Sequence, residues 1–237
     1  MHRFYLPSPD VRENILTVRE AHRLHQMSRV LRMKPGDLFS FFNDKGEEHS
    51  VRVLELKRDS LIAQVLEKLE RQTESLVEVS LYQAIPKKTA LFELIVQKAT
   101  ELGVHHLYPL VTERTEKRRL SKFERLVTIA VEATEQSNRL RVPVIHHPVS
   151  FESALEQARN GYLGYEFQEQ IDLLDYGKSI TETGAVQIFI GPEGGFSQKE
   201  VIKAKNAGVK LFTLGPRILR TETAAMASLA QLLHLLR

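Results

Sequence analysis

The chain has 237 residues, 42% hydrophobic and 27% charged, a balance that suits one large globular domain or two modest ones with ample core material. Cysteine is absent, which excludes disulfides and cysteine-based metal or redox centres, and no run reaches the roughly 18 apolar residues of a membrane span. The N-terminal "MHRFYLPSPD" lacks the apolar stretch of a secretory signal, so the expectation is a cytoplasmic protein.

The first seventy residues read as strands. "RFYL" (3–6), "NILTV" (14–18), "DLFSFFN" (37–43), "EHSVRVLEL" (48–56) and "SLIAQVLEK" (60–68) carry β-branched and aromatic residues between the turns "KPGD" (34–37) and "NDKGE" (43–47). One helix, "REAHRLHQMSRVL" (19–31), interrupts them, and the set suggests a small barrel-like module. "KLERQTES" (68–75) is a polar linker. Strands then alternate with helical patterns. "LVEVSLYQAI" (76–85) precedes a helix over 89–103 that stops at Gly103, and "VHHLYPLV" (104–111) precedes one over 121–137. "YLGYEF" (162–167), "AVQIFIG" (185–191) and "VKLFTLG" (209–215) are further strands, with a helix from Gln198 and a last one from about Glu222 to Leu236. The alternation implies a mostly parallel sheet covered by helices.

The charge is unevenly placed although the net is only +3. Arg and Lys outnumber Asp and Glu in residues 1–34 and again in 114–141, a pattern of polyanion partners or of plainly solvated surface. His105 and His106 are adjacent on a strand and point to opposite faces, so they make no metal site.

The chemistry concentrates near "IFIGPEGGFSQKE" (188–200). Ser197 and Glu200 form a capping-box pattern, leaving 191–196 as a free loop at the end of a strand. The loop has neither the lysine and hydroxyl of a Walker A motif nor the dinucleotide G-x-G-x-x-G spacing. Its glycines admit a ligand close to the backbone, and an uncharged or cationic ligand near Glu193 fits better than a phosphate. A purely structural turn is the alternative. A second strand ends in another Gly-Pro turn, Gly215-Pro216, and the helix after it carries Ala224, Ala225, Ala227, Ser228 and Ala230.

"IGPEGGFS" followed by "LGPRILRTETA" resembles the C-terminal signature of the RsmE family, SPOUT-superfamily enzymes that methylate ring nitrogen 3 of a uridine in 16S ribosomal RNA. "HRFYL" (2–6), "VLRMKPGD" (30–37), "QKATELGV" (97–104), "TERT" (112–115) and "EATEQSNRLRVP" (132–143) are similar to its other blocks, whereas "GYLGYEFQEQ" is not. The resemblance implies an α/β chain with a PUA-like RNA-binding β-barrel at 1–72 and a SPOUT domain at 76–237. It further implies a deep trefoil knot at about 185–225, a homodimer, and S-adenosylmethionine as cofactor, with no metal and no membrane. The implied cofactor residues are Ile190, Gly191, Pro192, Glu193, Gly194, Gly195, Leu214, Gly215, Ile218, Leu219, Thr223 and Ala224.

For catalysis, Arg220 is placed to stabilise an ionised uracil and Glu222 to take the imide proton. The competing readings are a surface or interface arginine and a carboxylate serving the helix dipole. Arg3, His22, His25, Arg29 and Arg32 are candidate ribosomal RNA phosphate contacts, the last four sharing one helix face, with Arg139 and Arg141 as a second group. A non-catalytic RNA-binding module of ribosome assembly and a nucleotide-dependent enzyme are the alternatives; the latter lacks a phosphate motif.

Overall fold

The computed structural model describes residues 1–167, 171–177, 180 and 184–236. The chain divides into two compact units, one of residues 1–74 with 134–141, the other of the rest.

The first unit holds a six-stranded sheet ordered β1 (His2–Tyr5), β4 (Leu38–Phe42), β5 (Glu48–Leu56), β6 (Leu61–Leu69), β3 (Ile15–Val18), β2 (Asp10–Arg12). β1 and β4 run parallel and the other pairs antiparallel, with irregularities in the β5–β6 register that bend the long hairpin. Phe4, Phe39, Leu16, Met27 and Leu61 fill its core, Phe4 standing edge-on to Phe39. The expected helix over 19–31 is two shorter pieces, α1 (Ala21–His25) and a π-helical stretch (Gln26–Val30) whose Leu31 amide bonds back to the Gln26 carbonyl. Widening the turn displaces side chains from a 3.6-residue stripe. Arg32 lies past the end, at φ +53°. The single face expected for His22, His25, Arg29 and Arg32 is therefore not formed.

Residues 134–141 join this unit through buried polar bonds. The Arg3 guanidinium donates to the Thr134 carbonyl, 3.0 Å, and to that of Arg139, and it pairs with the fully buried Glu48 at 3.1 Å. Glu135 accepts from the Tyr5 amide and pairs with Arg23. Arg139 pairs with Glu74 at 2.6 Å. Two ion pairs and the Arg3 bonds to two carbonyls thus fix a segment far away in sequence, which hydrophobic periodicity does not register.

The second unit is built on a parallel sheet ordered β10 (Val149–Ser150), β8 (His106–Val111), β7 (Glu78–Ala84), β12 (Ala185–Ile190), β11 (Gly161–Gly164), β13 (Lys210–Phe212), with β9 (Val144–Ile145) beside β8. Along β12, Ile188 and Ile190 face one way and Phe189 the other, and both faces are buried. The first face packs against α2 (Thr89–Glu101), α3 (Phe123–Gln136) and the last helix, α6 (Thr221–Leu235); the second packs against α4 (Phe151–Glu156) and α5 (Gln198–Asn206). Each core Ile, Leu or Phe contributes about 1.5–3 kcal/mol by leaving water. The run Phe189, Tyr82, Tyr108, His146 stacks ring on ring across neighbouring strands at 3.9–4.5 Å. His146 also meets His106 at 2.9 Å, which in turn reaches Glu78. His105 instead accepts from the Val79 amide.

Candidate active site

All strands of the second sheet being parallel, their carboxyl ends share one edge, where open α/β sheets bind ligands. β11 lies between β12 and β13, so the loops after these three strands are neighbours. They enclose a cavity of about 550 Å³, closed by the start of α6 and by Lys87, Lys88 and Leu91 at the start of α2.

The glycine loop keeps its shape by defined bonds. Ser197 accepts from the Glu200 amide and Glu200 from the Ser197 amide, the reciprocal cap that starts α5. Glu200 also receives the Glu113 amide, and Arg114 donates to the Gly194 carbonyl, so the 112–115 turn braces the loop from outside. Inside, a methyl group on Gly191 would lie 3.1 Å from the Phe196 ring, and one on Gly195, at φ +66°, would lie 2.7 Å from a Glu166 oxygen. Glycine at 191 lets Phe196 pack against the loop backbone, and glycine at 195 supplies the left-handed turn.

Of the cofactor residues expected from the sequence, Ile190, Gly191, Pro192, Glu193, Gly195, Leu214, Ile218, Leu219 and Ala224 line the cavity, as do Arg220 and Glu222. Gly194, Gly215 and Thr223 do not; a Gly194 methyl would make ordinary contact with Arg114, and Gly215, at φ +94°, shapes the second turn from outside the wall. Glu193 is not a free carboxylate: it accepts from the Lys87 amide at 3.0 Å. The Lys87 ammonium pairs with Glu116, which raises its pKa.

The sequence reading missed several wall residues. Gly164 ends β11 and Tyr165 and Glu166 follow it, in the stretch least like the family pattern. Lys87, Lys88 and Arg217 bring cations to a cavity whose glycine loop has none. Thr221, buried at the start of α6, gives its hydroxyl proton to the Gly191 carbonyl at 2.6 Å. Three of these had a signal: "YLGYEF" reads as a strand, and a parallel strand there must deliver its loop to the same edge.

The RNA candidates lie in the first unit. His22, His25, Arg29, Arg32 and Arg141 are exposed. Arg3 and Arg139 are buried and bonded within the unit, as described above, so they are not presented as surface cations. A concavity of about 680 Å³ is lined by His25 and Arg29 together with Arg19, Lys57 and Arg58, with Asp59 the one acid. Among the described residues, no group of three or more His, Asp or Glu is arranged to hold a metal ion, and no helix is long and apolar enough to cross a membrane.

Residues 73–233 match the family model described as an RNA methyltransferase domain, and 27–66 match that of the RNA methyltransferase PUA domain. The ribosomal RNA small subunit methyltransferase E of Rickettsia conorii is 30% identical over 97% of this chain and 94% of its own. The protein of that name from Synechocystis is 33% identical over 99% of this chain and 78% of its own. A Neisseria gonorrhoeae ribosomal RNA small subunit methyltransferase E, crystallised bound to S-adenosyl methionine, superposes with a TM-score of 0.88 at 31% identity, covering 99% of this chain and 98% of its own. A Legionella pneumophila methyltransferase in complex with the same cofactor gives 0.85 at 29%, over 98% and 96%. The chain belongs to the ribosomal RNA small subunit methyltransferase E family.

Proposed function

We propose that this protein binds S-adenosylmethionine in the cavity at the edge of the parallel sheet and methylates ring nitrogen 3 of a uridine in 16S ribosomal RNA. The observation that carries the reading is the cavity of about 550 Å³ set between three converging loops at the carboxyl edge of the sheet, with the backbone of Gly191 and Gly195 in its wall. The residues fit the cofactor. Ile190, Leu214 and Leu219 offer an apolar wall, and the glycines bring backbone groups within reach. Glu166 suits an ammonium or sulfonium cation.

The cofactor, when bound, supplies an electrophilic methyl group. Arg220 stands in extended conformation just before α6 and lines the cavity as an exposed side chain, where its guanidinium holds the uracil oxygens as the imide loses its proton. Glu222, one residue into the helix, accepts that proton. Lys88 and Arg217, both exposed at the cavity wall, suit the phosphates of the target nucleotide.

The reading extends to the rest of the chain. The first unit serves RNA binding through the concavity of Arg19, His25, Arg29, Lys57 and Arg58, with His22, Arg32 and Arg141 outside it. The division into a PUA-like barrel at 1–72 and a SPOUT domain at 76–237 is part of the same proposal, as are a trefoil knot over about 185–225, a homodimer and a cytoplasmic location. Family membership and the placing of β11 between two strands that follow and flank the glycine loop support the knot. Incubating the protein with 16S RNA or small subunits and methyl-labelled S-adenosylmethionine, then digesting the RNA, tests the core of the reading. Labelled 3-methyluridine is expected. Absence of cofactor binding by calorimetry, or label on another atom, would remove it.

A further inference from the structure

We propose that Gln83 is a positioning residue for methyl transfer, holding Arg220 and Glu222 in register with the glycine loop by a directed hydrogen-bond relay through Thr221. The inference rests on the function proposed above.

Gln83 lies on β7 and is fully buried. It shares a face with Val79 and Leu81, both in the apolar core, so a leucine would be the default there. Its amide nitrogen donates to the Ala84 carbonyl at 3.0 Å and to the Thr221 hydroxyl at 2.9 Å. A carbonyl only accepts, so the nitrogen must face Ala84 and the carboxamide has one orientation. Thr221 therefore accepts a hydrogen bond from Gln83 and donates one to the Gly191 carbonyl. Three separate pieces are tied in one sense: the middle of the sheet, the first residue of α6, and the end of β12.

Two features argue for a site-directed role over a merely structural one. Thr221 is the first residue of the helix, one past the N-cap position held by Arg220, and its hydroxyl caps nothing there; it reaches back thirty residues to the glycine loop. The Gln83 side-chain oxygen is buried without a partner among the described residues, a cost that an apolar residue of equal volume would avoid. What the amide accomplishes is to fix Thr221, and Thr221 stands between the two residues whose side chains face the reacting base.

The test compares Gln83→Leu, Thr221→Val, their double variant and Thr221→Ser. Single-turnover rates at saturating cofactor and RNA should fall about tenfold or more in each single apolar variant, as for a buried hydrogen bond lost at the site. The double variant should be no slower than the worse single, because both break one relay. Thr221→Ser should recover most of the rate. Cofactor affinity by calorimetry should change less than about threefold, a split between binding and turnover that general destabilisation does not produce. Hydrogen exchange at residues 222–225 of the cofactor-free protein should quicken in the apolar variants. A wild-type rate in Gln83→Leu, or losses that multiply in the double variant, would overturn the proposal. If the wild-type protein transfers no methyl group, the functional reading fails instead, while unchanged exchange in Gln83→Leu would still refute the relay.

Discussion

A carboxylate oxygen of Glu166 stands 2.7 Å from the point where a methyl group on Gly195 would lie, across the mouth of the cavity. Glu166 is exposed and can turn its carboxylate away, so what holds Gly195 as glycine is its backbone conformation. Gly195→Ala must hold φ +66°, which costs an L-residue about 1–2 kcal/mol. Cofactor affinity should fall more than about tenfold in Gly195→Ala, less in Gly191→Ala, and little in Gly194→Ala, whose methyl would touch only Arg114 at ordinary distance. Calorimetry on the three variants checks the order; strong loss in Gly194→Ala alone would contradict it.

Arg220 is expected to act mainly in the transition state. Arg220→Ala should lower the single-turnover rate by about 10²-fold or more while leaving cofactor and RNA affinity nearly unchanged. Arg220→Lys should restore part of the rate, since an ammonium lacks the planar fork. Loss of RNA affinity with turnover preserved at saturating RNA would make Arg220 a phosphate contact instead.

The arginines of the first unit should separate by burial. Arg29→Ala and Arg58→Ala should weaken RNA binding and lower the slope of log affinity against log salt by about one unit each, with folding intact. Arg3→Ala leaves the buried Glu48 with Arg71 as its remaining cation and should destabilise the unit by about 3–5 kcal/mol. Denaturant unfolding and salt-titrated binding distinguish the two classes; an Arg3→Ala variant of normal stability and weakened RNA binding would reverse the assignment.

His146 predicts a limb of acid sensitivity. Burial, with the charges of His106 and His147, lowers its pKa below the usual histidine value. Below about pH 6.5 the unfolded chain takes up a proton that the folded one refuses, so stability falls as pH drops until the folded value is passed. Above about pH 6.5 the group is neutral in both states and contributes no slope. His146→Phe should flatten the loss of thermal stability as pH falls below about 6.5; an unchanged slope would assign it elsewhere.

Much of the site was legible because its parts are local. The Ser197–Glu200 pair marks the start of α5 at Gln198, and two Gly-Pro turns mark two of the three loops. What was not legible depends on distant partners. Periodicity identifies "YLGYEF" as a strand but carries no strand order, so the Glu166 loop was not placed between the other two. An arginine reads the same whether it faces water or a buried glutamate; only the fold distinguishes Arg29 from Arg3 and Arg139. Thr221 reads as an ordinary helix-start residue until its hydroxyl is found on Gly191.

The insertion of β11 between β12 and β13 has a consequence for synthesis of the chain. The cavity takes its walls from residues near 87, 165, 192 and 212–224, so a chain that ends before residue 212 holds only a part of them. A nascent chain that has emerged through the glycine loop already carries the most recognisable motif, yet still lacks the second turn, Arg220 and the Thr221 bond. Cofactor binding should therefore appear abruptly once the ribosome has extruded residues past 224, so that incomplete chains neither sequester the cofactor nor modify RNA.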